Sequence, residues 1–447
     1  MDTKTKKTSV LLFPWLAYGH ISPFTDLGFQ LEKRNFKVYL CSTPANLRSI
    51  RKKLGEESSI QLVELHLESL PSLPAEYHTT NGLPPYLMDT LKTAFDRAEP
   101  KFSNILQTVK PDLLIYDFMR PWPPEAAVEK EEIFEQEYFI ATSSTMTSYM
   151  LHVYERPYMK FPFSNIFYHD YESIHGEKLK VKSVENDLVM KSIDRSTKII
   201  LIKGFKEMDG KYSDYLSGMS GKKIVQVGPL VQRPKCQDED CEIIMNWLNK
   251  KEPSSTIFVS FGSEYFLSEE DFQEIAQGLL LANVNFIWVV RFPLGENIRL
   301  AEKLPSGFLE QVGDRGMVVE GWAPQSKILE HSSTGGFVSH CGWNSVNESM
   351  YFGVPIIAMP MHLDQPINAK LVKEIGIGVE VVRDTNGKLE REEIAAVINH
   401  VVVEKDGEVV RKKAKELKDN IKMRGEQEID EMVKELKQIC QKKDGLF

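Results

Sequence analysis

The stretch GGFVSHCGWNSVNESM, residues 335–350, joins a short apolar run to a glycine-containing turn and the first residues of a helix. Residues 336–339 predict a β-strand, and Asn344 with Ser345 can begin a helix because their side chains suit a helix N-terminus. Another apolar run, at 355–359, predicts the next strand. Strand, helix and strand in this order indicate a parallel sheet, whose strands need a crossover connection.

The same alternation runs along the whole chain. Further strands are predicted at 9–13, 38–41, 113–116, 138–141 and 198–202 in the first half, and at 256–261, 285–290 and 316–320 in the second. Their apolar residues are not confined to one face, which is typical of parallel strands covered by helices on both sides. Two such series in 447 residues exceed a single hydrophobic core. The sequence therefore predicts an α/β protein with two doubly wound domains.

The boundary between these domains is predicted in the polar stretch 232–240, which is rich in proline and acidic residues. We assign residues 1–235 to a first domain and residues 236–425 to a second domain. The remaining tail, 426–447, is charged and helical in pattern, and we expect it to pack back onto the first domain.

Composition and charge exclude several classes of protein. The chain carries 55 basic and 64 acidic residues, a formal net charge of −9, so it lacks the basic field of a nucleic-acid-binding domain. Five cysteines without a CxxC pair predict neither a disulfide framework nor a structural zinc site, and they favour a reducing compartment. No apolar stretch is long enough to span a bilayer. We expect a cytoplasmic monomer whose partners are small molecules.

Polar residues follow the predicted strands of the second half, at the sheet edge where open parallel sheets bind their ligands. Together they supply hydroxyl groups, an aromatic ring, an imidazole and a carboxylate. They are Ser263 after the first of these strands, Trp322, Ala323 and Gln325 after the third, His340 and Trp343 after the fourth, and Asp364 and Gln365 after the fifth.

The helix that begins near Asn344 offers a site for an anion, because its first N–H groups and its dipole favour negative charge. Glu348 lies four residues after Asn344 and three after Ser345, so the three side chains share a face. That face could hold a phosphate at its tip and a diol beside it. On these residues alone, a plain N-cap role for Asn344 explains the pattern equally well.

The first half places a histidine and an aspartate after neighbouring strands. His20 follows the first predicted strand and Asp117 follows the third, so the two could form the base and the orienting partner of an acid–base site. Ser22 and Pro23 predict that a helix begins just after His20. A packed loop histidine is the alternative, and it explains most isolated histidines.

Two aromatic residues, Trp15 and Tyr18, flank His20. Either ring could stack against the face of an acceptor sugar. An ordinary place in the core or at the rim of a pocket explains each of them equally well.

Residues 322–365, which begin WAPQ and end HLDQ, resemble the signature box of the plant secondary-product UDP-glycosyltransferases of family 1. The resemblance continues through His20, Asp117 with Pro121-Trp122, and residues 227–230, 260–263 and 304–308. The start of the chain, FPWLAYGHISPF at 13–24, is similar to the members that add sugars to glycosides of the mogroside and sesaminol type. This family has the GT-B fold, in which two Rossmann-like domains face each other across a cleft.

The resemblance implies a role for each residue of the box. The uracil and ribose would be held by Trp322, Ala323, Gln325 and Glu348. The diphosphate would be held by Ser263, His340, Asn344 and Ser345. The donor sugar would contact Trp343, Asp364 and Gln365, with Thr142 or Ser143 as a further contact from the first domain.

The same resemblance implies that His20 is the general base and that Asp117 is its partner. The reaction would transfer a sugar, expected to be glucose from UDP-glucose, with inversion to give a β-glycoside. The acceptor is expected to be a sugar hydroxyl of a triterpenoid, flavonoid or lignan glycoside, and no metal is expected. The acidic sequence Asp238-Glu239-Asp240 imitates a metal-binding DxD motif, but we interpret it as a solvated loop.

One segment departs from the family pattern. Residues 124–144 are acidic and lack the expected Ile-Pro step into a strand, which leaves the acceptor side undefined.

Other functions stay open. An aglycone O-glucosyltransferase is one alternative, and a UDP-sugar-binding protein without activity is a more distant one. A nicotinamide oxidoreductase is disfavoured because no GxGxxG follows the first strand. A nucleotide-sugar epimerase is a further alternative, and it would act on the UDP-sugar without needing an acceptor.

Overall fold

The computed structural model describes residues 7–118, 122–128, 135–180, 184–231, 239–263, 265–292 and 299–441. Its internal contacts divide the chain into two compact units. The N-terminal unit comprises Met1–Glu155, Val181–Leu230 and Arg424–Phe447, and the C-terminal unit comprises Arg156–Lys180 and Val231–Met423. Residues 156–180, which the sequence assigned to the first domain, therefore group with the second unit.

Each unit contains one sheet whose neighbouring strands pair in parallel. The strands of the N-terminal unit are β1 (Ser9–Phe13), β2 (Lys37–Ser42), β3 (Gln61–Glu64), β4 (Leu113–Tyr116), β5 (Glu135–Ile140), β6 (Ile199–Ile202) and β7 (Lys223–Gln226). Those of the C-terminal unit are β8 (Thr256–Ser260), β9 (Asn285–Val290), β10 (Gly316–Glu320), β11 (Thr334–Ser339), β12 (Ile356–Ala358) and β13 (Gly378–Glu380). Their spatial orders are β3-β2-β1-β4-β5-β6-β7 and β10-β9-β8-β11-β12-β13. The predicted α/β class with two parallel sheets is confirmed.

Helices connect the strands. In chain order they are α1 (Tyr18–Lys33), α2 (Pro44–Leu54), α3 (Met88–Asp96), α4 (Glu99–Val109), α5 (Trp122–Val128), α6 (Ser144–Glu155), α7 (Ser173–Lys180), α8 (Val184–Arg195), α9 (Lys206–Ser220), α10 (Glu239–Leu248), α11 (Glu269–Ala282), α12 (Leu300–Lys303), α13 (Phe308–Val312), α14 (Gln325–Glu330), α15 (Trp343–Phe352), α16 (Gln365–Glu374), α17 (Arg391–Val402) and α18 (Glu408–Gln441). Short 3₁₀ turns lie at Ala75–Tyr77, Pro85–Leu87, Asp170–Glu172 and Gly313–Arg315.

Three strands escape prediction from the sequence, and each lies at the edge of its sheet. They are β3, β7 and β13, which are only three or four residues long. Edge strands have one paired side and are commonly short, which blunts unwanted pairing with other chains. Their sequences therefore carry only a brief apolar signal, and β3 in particular has no buried residue.

Successive residues of each central strand bury against opposite layers of helices. In β1, Leu11 and Phe13 belong to one apolar cluster, whereas Val10 and Leu12 belong to another. This follows from the two-residue period of a strand, which turns alternate side chains to opposite faces. In the C-terminal unit, the strands β8 to β11 divide in the same way between two clusters.

The second half of α18 forms part of the core of the N-terminal unit. Its apolar residues belong to the same buried cluster as Val10 and Leu12, and they are Ile429, Met432, Val433, Leu436 and Ile439. Their spacing of three and four residues gives one continuous stripe on the helix. The segment beginning at Arg424 is therefore an integral part of this unit.

The cysteines differ in their bonding. Cys41, Cys341 and Cys440 are free thiols, whereas Cys241 is disulfide-bonded, a bond that the sequence did not predict. No helix within the described residues has the length and apolar character needed to cross a membrane.

Glu135 and Glu137, the last acidic residues before Tyr138, belong to β5, and Glu137 is fully buried. Its carboxyl group accepts hydrogen bonds from Ser196 Oγ at 2.9 Å and from Ile199 N at 3.0 Å, at the end of the sheet where strands begin. Burial raises the pKa of Glu137 to about 7, although these hydrogen bonds lower it. Of the atypical segment 124–144, residues 129–134 lie outside the described residues.

We expect Glu137→Gln to flatten the dependence of stability on pH. The unfolded chain releases this proton near its ordinary pKa of 4.5 and the folded chain only near 7, so rising pH destabilises the wild type between those values, by on the order of 3 kcal/mol. Urea unfolding at pH 5, 6 and 7 measures the slope. The exposed Glu57→Gln serves as the control, and parallel curves for Glu137→Gln and wild type would contradict the expectation.

Candidate active site

Both sheets reverse their strand order at one point, and the predicted polar residues cluster there. In the N-terminal unit the reversal lies between β1 and β4, and in the C-terminal unit it lies between β8 and β11. Helices that leave such neighbouring strands turn to opposite faces, which opens a crevice beyond the carboxyl ends. His20 and Asp117 follow β1 and β4, while Gly262 and His340 follow β8 and β11.

The carboxylate of Asp117 is held by three groups. Its Oδ2 atom accepts from Trp15 N at 3.0 Å and lies 2.8 Å from Nδ1 of His20, while its Oδ1 atom accepts from Phe118 N at 2.8 Å. An ionised carboxylate only accepts, so Nδ1 carries the shared proton and Nε2 keeps its lone pair. The side chain of His20 is 25% exposed and that of Asp117 is 3% exposed, so only the imidazole can meet a substrate.

Helix α1 carries His20 in its first turn. It begins at Tyr18 with Ala17 as the N-cap residue, so the predicted start at Ser22 and Pro23 is wrong. The Ala17 carbonyl accepts from His20 N at 3.0 Å and from Ile21 N at 2.9 Å, and no side chain caps the helix. The positive end of the helix dipole therefore lies close to His20.

The aromatic residues around His20 have different environments. Trp15 is 5% exposed and packs edge-on against Phe95 at 5.1 Å, so its ring belongs to the core. Tyr18 is 45% exposed and accessible, but it lies two residues from His20, and such side chains do not share a helix face. The ring beside the imidazole is Phe118, at 5.3 Å between centroids. We did not predict this contact from the sequence, although the position of Phe118 directly after Asp117 indicates that it lies near His20.

Thr142 and Ser143 lie between β5 and α6, and their environments differ. Ser143 is fully buried, and its Oγ atom accepts from Met146 N at 3.0 Å. Its carbonyl accepts from Thr147 N at 3.0 Å, so both groups fasten the start of α6. Thr142 is half-buried. It is therefore the one of the two whose side chain a ligand can reach.

Two glycines form a cradle for His340 in the C-terminal unit. A Cβ atom added to Gly262 or to Gly342 would lie 2.6 Å from Nε2 of His340. Gly262 also has a φ of +81°, which side-chain-bearing residues rarely adopt. Burial lowers the pKa of His340 to about 4, so the imidazole is neutral near pH 7 and one of its ring nitrogens donates.

Helix α15 begins directly after this cradle. Its N-cap is Gly342, where no side chain caps the helix. The plain N-cap role that the sequence left open for Asn344 is therefore excluded, and Asn344 with Ser345 lies in the first turn. This turn presents backbone N–H groups and the positive end of the dipole, which suit a phosphate.

Ser345 and Glu348 meet a glutamine from the neighbouring helix. Gln325 Nε2 donates to Glu348 Oε2 at 2.8 Å and to Ser345 Oγ at 3.2 Å. Trp322, which follows β10, is 54% exposed and can stack on a flat base. The structure thus brings together the residues predicted for ribose and leaves a large aromatic face open beside β10.

Asp364 and Gln365 are fixed at the start of α16. Asn368 Nδ2 donates to Asp364 Oδ2 at 2.8 Å and to the Cys341 carbonyl at 3.0 Å. Gln365 Oε1 accepts from His362 N at 3.0 Å, so this side chain also fastens the preceding loop. We did not predict Asn368 from the sequence, although it lies four residues after Asp364 and side chains with that spacing are neighbours on a helix.

The remaining predicted residues differ in accessibility. Trp343 is 3% exposed and Ala323 is 6% exposed, so both offer a ligand little beyond their backbone. Ser263, directly after Gly262, is half-buried and can reach a ligand with its hydroxyl.

In the described part of the chain, no group of three or more His, Cys, Asp or Glu side chains is placed to hold a metal ion. Of the acidic motif at 238–240, Glu239 and Asp240 lie in the first turn of α10, and Asp238 lies outside the described residues.

This fold and these switch-point residues define a nucleotide-sugar-dependent transferase with two α/β units. The sequence profile described as UDP-glucoronosyl and UDP-glucosyl transferase matches residues 229–414, and a profile described as glycosyltransferase N-terminal domain matches residues 6–232. The chain belongs to family 1 of the plant UDP-glycosyltransferases, enzymes that transfer sugars from UDP-sugars to small molecules.

Similar sequences cover nearly the whole chain. UDP-glucosyltransferase 29 of Panax ginseng is 54% identical over 99% of both chains. Mogroside IIIx synthase of Siraitia grosvenorii is 52% identical over 96% of this chain and 92% of that protein. The beta-D-glucosyl crocetin beta-1,6-glucosyltransferase of Gardenia jasminoides is 49% identical over 96% of this chain and 98% of its own.

A solved structure shows the same fold. UGT73P12 of Glycyrrhiza uralensis, complexed with glycyrrhetinic acid 3-O-monoglucuronide, superposes with a TM-score of 0.83 at 24% identity, covering 98% of this chain and 97% of that one. The predicted GT-B fold is confirmed.

We expect Gly262→Ala to weaken UDP binding by roughly tenfold or more, equivalent to about 1.4 kcal/mol. The added methyl group would displace the His340 imidazole and strain a backbone with positive φ. Isothermal titration with UDP measures the change. Gly218→Ala, where a Cβ meets nothing within 4 Å, is the matched control. Unchanged UDP affinity in Gly262→Ala would separate His340 from the nucleotide site.

Proposed function

We propose that this protein is a monomeric, inverting UDP-glucose-dependent glycosyltransferase that forms a β-glycosidic bond to a sugar hydroxyl of a plant glycoside. The observation that carries the proposal is the hydrogen bond between His20 Nδ1 and Asp117, which orients a partly exposed imidazole. A UDP-sugar-binding protein without activity would have no use for an oriented base of this kind.

In the proposed reaction, Nε2 of His20 takes the proton from the acceptor hydroxyl while that oxygen attacks the anomeric carbon. The bond from this carbon to the UDP oxygen breaks on the opposite side, so an α-linked donor gives a β-glycoside. Asp117 keeps the imidazole in the required tautomer and stabilises the imidazolium that forms. A positioned base of this type contributes about 10² to 10⁴ in rate.

The departing UDP gathers negative charge, and the C-terminal unit offers groups to stabilise it. We assign the diphosphate to Ser263, His340, Asn344 and Ser345. The first turn of α15 supplies oriented N–H groups, and neutral His340 supplies a further donor without the cost of desolvating a cation. With these donors in place, we propose that transfer requires no metal ion.

The other donor contacts follow from accessibility. We assign uracil to the exposed face of Trp322 with Ala323, and the ribose hydroxyls to Glu348 beside Gln325. The glucose would contact Asp364, Gln365 and the backbone at Trp343. From the N-terminal unit we assign the half-buried Thr142 to the glucose, since the Ser143 hydroxyl is committed to α6.

The glycoside acceptor is supported by relatives rather than by a defined pocket. A relative at 49% identity is named for transfer to beta-D-glucosyl crocetin, which already carries a sugar. Tyr18 adds an exposed aromatic face near the start of α1, of the kind that stacks on sugar rings. An aglycone O-glucosyltransferase would instead accept compounds that carry no sugar.

We expect His20→Ala to lower kcat by about 10² to 10⁴ while the affinity for UDP stays within twofold, because the base meets the acceptor and not the nucleotide. Asp117→Asn should also lower kcat, because the amide can donate a hydrogen bond to Nδ1 of His20 and so favour the wrong tautomer of the imidazole. Initial rates and calorimetry with UDP measure both quantities. Near-normal turnover in His20→Ala would remove the base from its assigned role.

We further expect UDP-glucose and a panel of matched aglycones and monoglucosides to separate the acceptor classes. Mass spectrometry should show a gain of one hexose on the glucosides, with equimolar UDP release and an unchanged rate in EDTA. Preference for aglycones would favour the alternative acceptor class. Activity lost in EDTA and restored by manganese would contradict metal-free transfer, and UDP release without any sugar product would contradict transfer itself.

A further inference from the structure

A buried polar network lies behind the start of α6. Asp209 is fully buried on α9, and its Oδ2 atom accepts from Ser144 N, the first helical N–H of α6, at 2.7 Å. Its Oδ1 atom accepts from Gln226 Nε2 at 2.6 Å, at the end of β7. Ser213 closes the network through Ser144 Oγ at 2.7 Å and Gln226 Nε2 at 3.0 Å.

Asp209 lies at a kink in α9, where its φ of −135° and ψ of 21° are outside helical values. Burial raises its pKa to about 7, although the hydrogen bonds from Ser144 and Gln226 lower it. A buried carboxyl group costs free energy unless hydrogen bonds satisfy it, and both of its oxygen atoms accept one here. These bonds join α9 to the start of α6 and to the end of β7, which gives the network a structural role there.

That role concerns the turn just before Ser144. Lys203 N donates to the Ile140 carbonyl at 3.0 Å and fixes the end of β5, while Asp209 fixes the residue that opens α6. Between these two anchors only Ala141, Thr142 and Ser143 remain. The backbone at Thr142 is therefore fixed on both sides, which limits the positions that its side chain can take.

The network also decides which ligand groups suit this helix end. The carboxyl group of Asp209 accepts from Ser144 N at the start of α6, and Ser143 Oγ accepts from Met146 N there. An anion at the same place would therefore find these N–H groups already bonded to side-chain oxygen atoms. Beside Thr142, α6 thus suits an uncharged sugar hydroxyl, in contrast to α15, where no side chain caps the helix.

We infer that Asp209 is a positioning residue for transfer, which holds the β5–α6 turn so that Thr142 meets the donor sugar. This inference rests on the function proposed above, in particular on the contact of Thr142 with the sugar of the donor. Asp209 itself touches no substrate. Its effect passes through Ser144 and the turn.

The experiment is a double-mutant cycle between Thr142→Ala and Asp209→Asn, measured as kcat/KM for UDP-glucose per site titrated with UDP. We expect each single variant to lose about tenfold, which is about 1.4 kcal/mol, with the Kd for UDP unchanged. The double variant should lose no more than either single variant, because both remove the same contact. A structural effect of Asp209→Asn would persist in the Thr142→Ala background.

Matched variants keep the test decisive if Asp209→Asn folds poorly. Ser213→Ala leaves the carboxylate in place and loosens its surroundings, and it should lose about threefold, again only when Thr142 is present. Asp209→Asn/Gln226→Glu restores an amide–carboxylate pair with the roles exchanged, and it should regain most of the activity. Glu137→Gln removes a buried carboxyl group of β5, toward the end of the sheet where strands begin, and it should leave kcat/KM unchanged.

The outcomes separate the inference from the function beneath it. If Thr142→Ala loses activity but the Asp209→Asn and Ser213→Ala losses are absent or fully additive with it, the inference is overturned and the proposed donor contact stands. If Thr142→Ala has no effect on kcat/KM, the proposed contact fails and the inference fails with it. The fall in kcat of His20→Ala, which does not involve Thr142 or Asp209, tests the reaction independently of both.

Discussion

The reversal of strand order in each sheet is the constraint on which the chemistry of this protein depends. Helices that leave β1 and β4, or β8 and β11, turn to opposite faces of the sheet, which opens a crevice beyond the carboxyl ends of these strands. Loop residues and first-turn N–H groups at these points remain available to ligands. One reversal presents the His20–Asp117 pair, and the other presents His340 between two glycines.

The first turns of α15 and α6 differ in what their N–H groups contact. The first turn of α15 follows a glycine and the buried His340, and no side chain caps it. At the first turn of α6, Asp209 and Ser143 accept hydrogen bonds from backbone N–H groups. The proposed assignment of the diphosphate to α15, and of uncharged hydroxyl groups to the start of α6, follows this difference.

The sequence predicts the central strands and the residues of the box because both leave local signals. Features that depend on tertiary contacts could not be predicted in this way. Trp15 and Tyr18 have similar local context, yet packing against Phe95 buries only the first. Glu137 lies in a strand although it is charged, because Ser196 and backbone N–H groups from a distant loop satisfy it.

Asp117 couples the chemistry of the N-terminal unit to its local fold. The same Oδ2 atom accepts from Trp15 N and faces Nδ1 of His20, so one oxygen both anchors the loop after β1 and orients the imidazole of the proposed base. Trp15 in turn packs into the core, which ties the loop to the sheet. The imidazole therefore needs no contact from substrate to adopt its working tautomer, because the core and the carboxylate hold it there already.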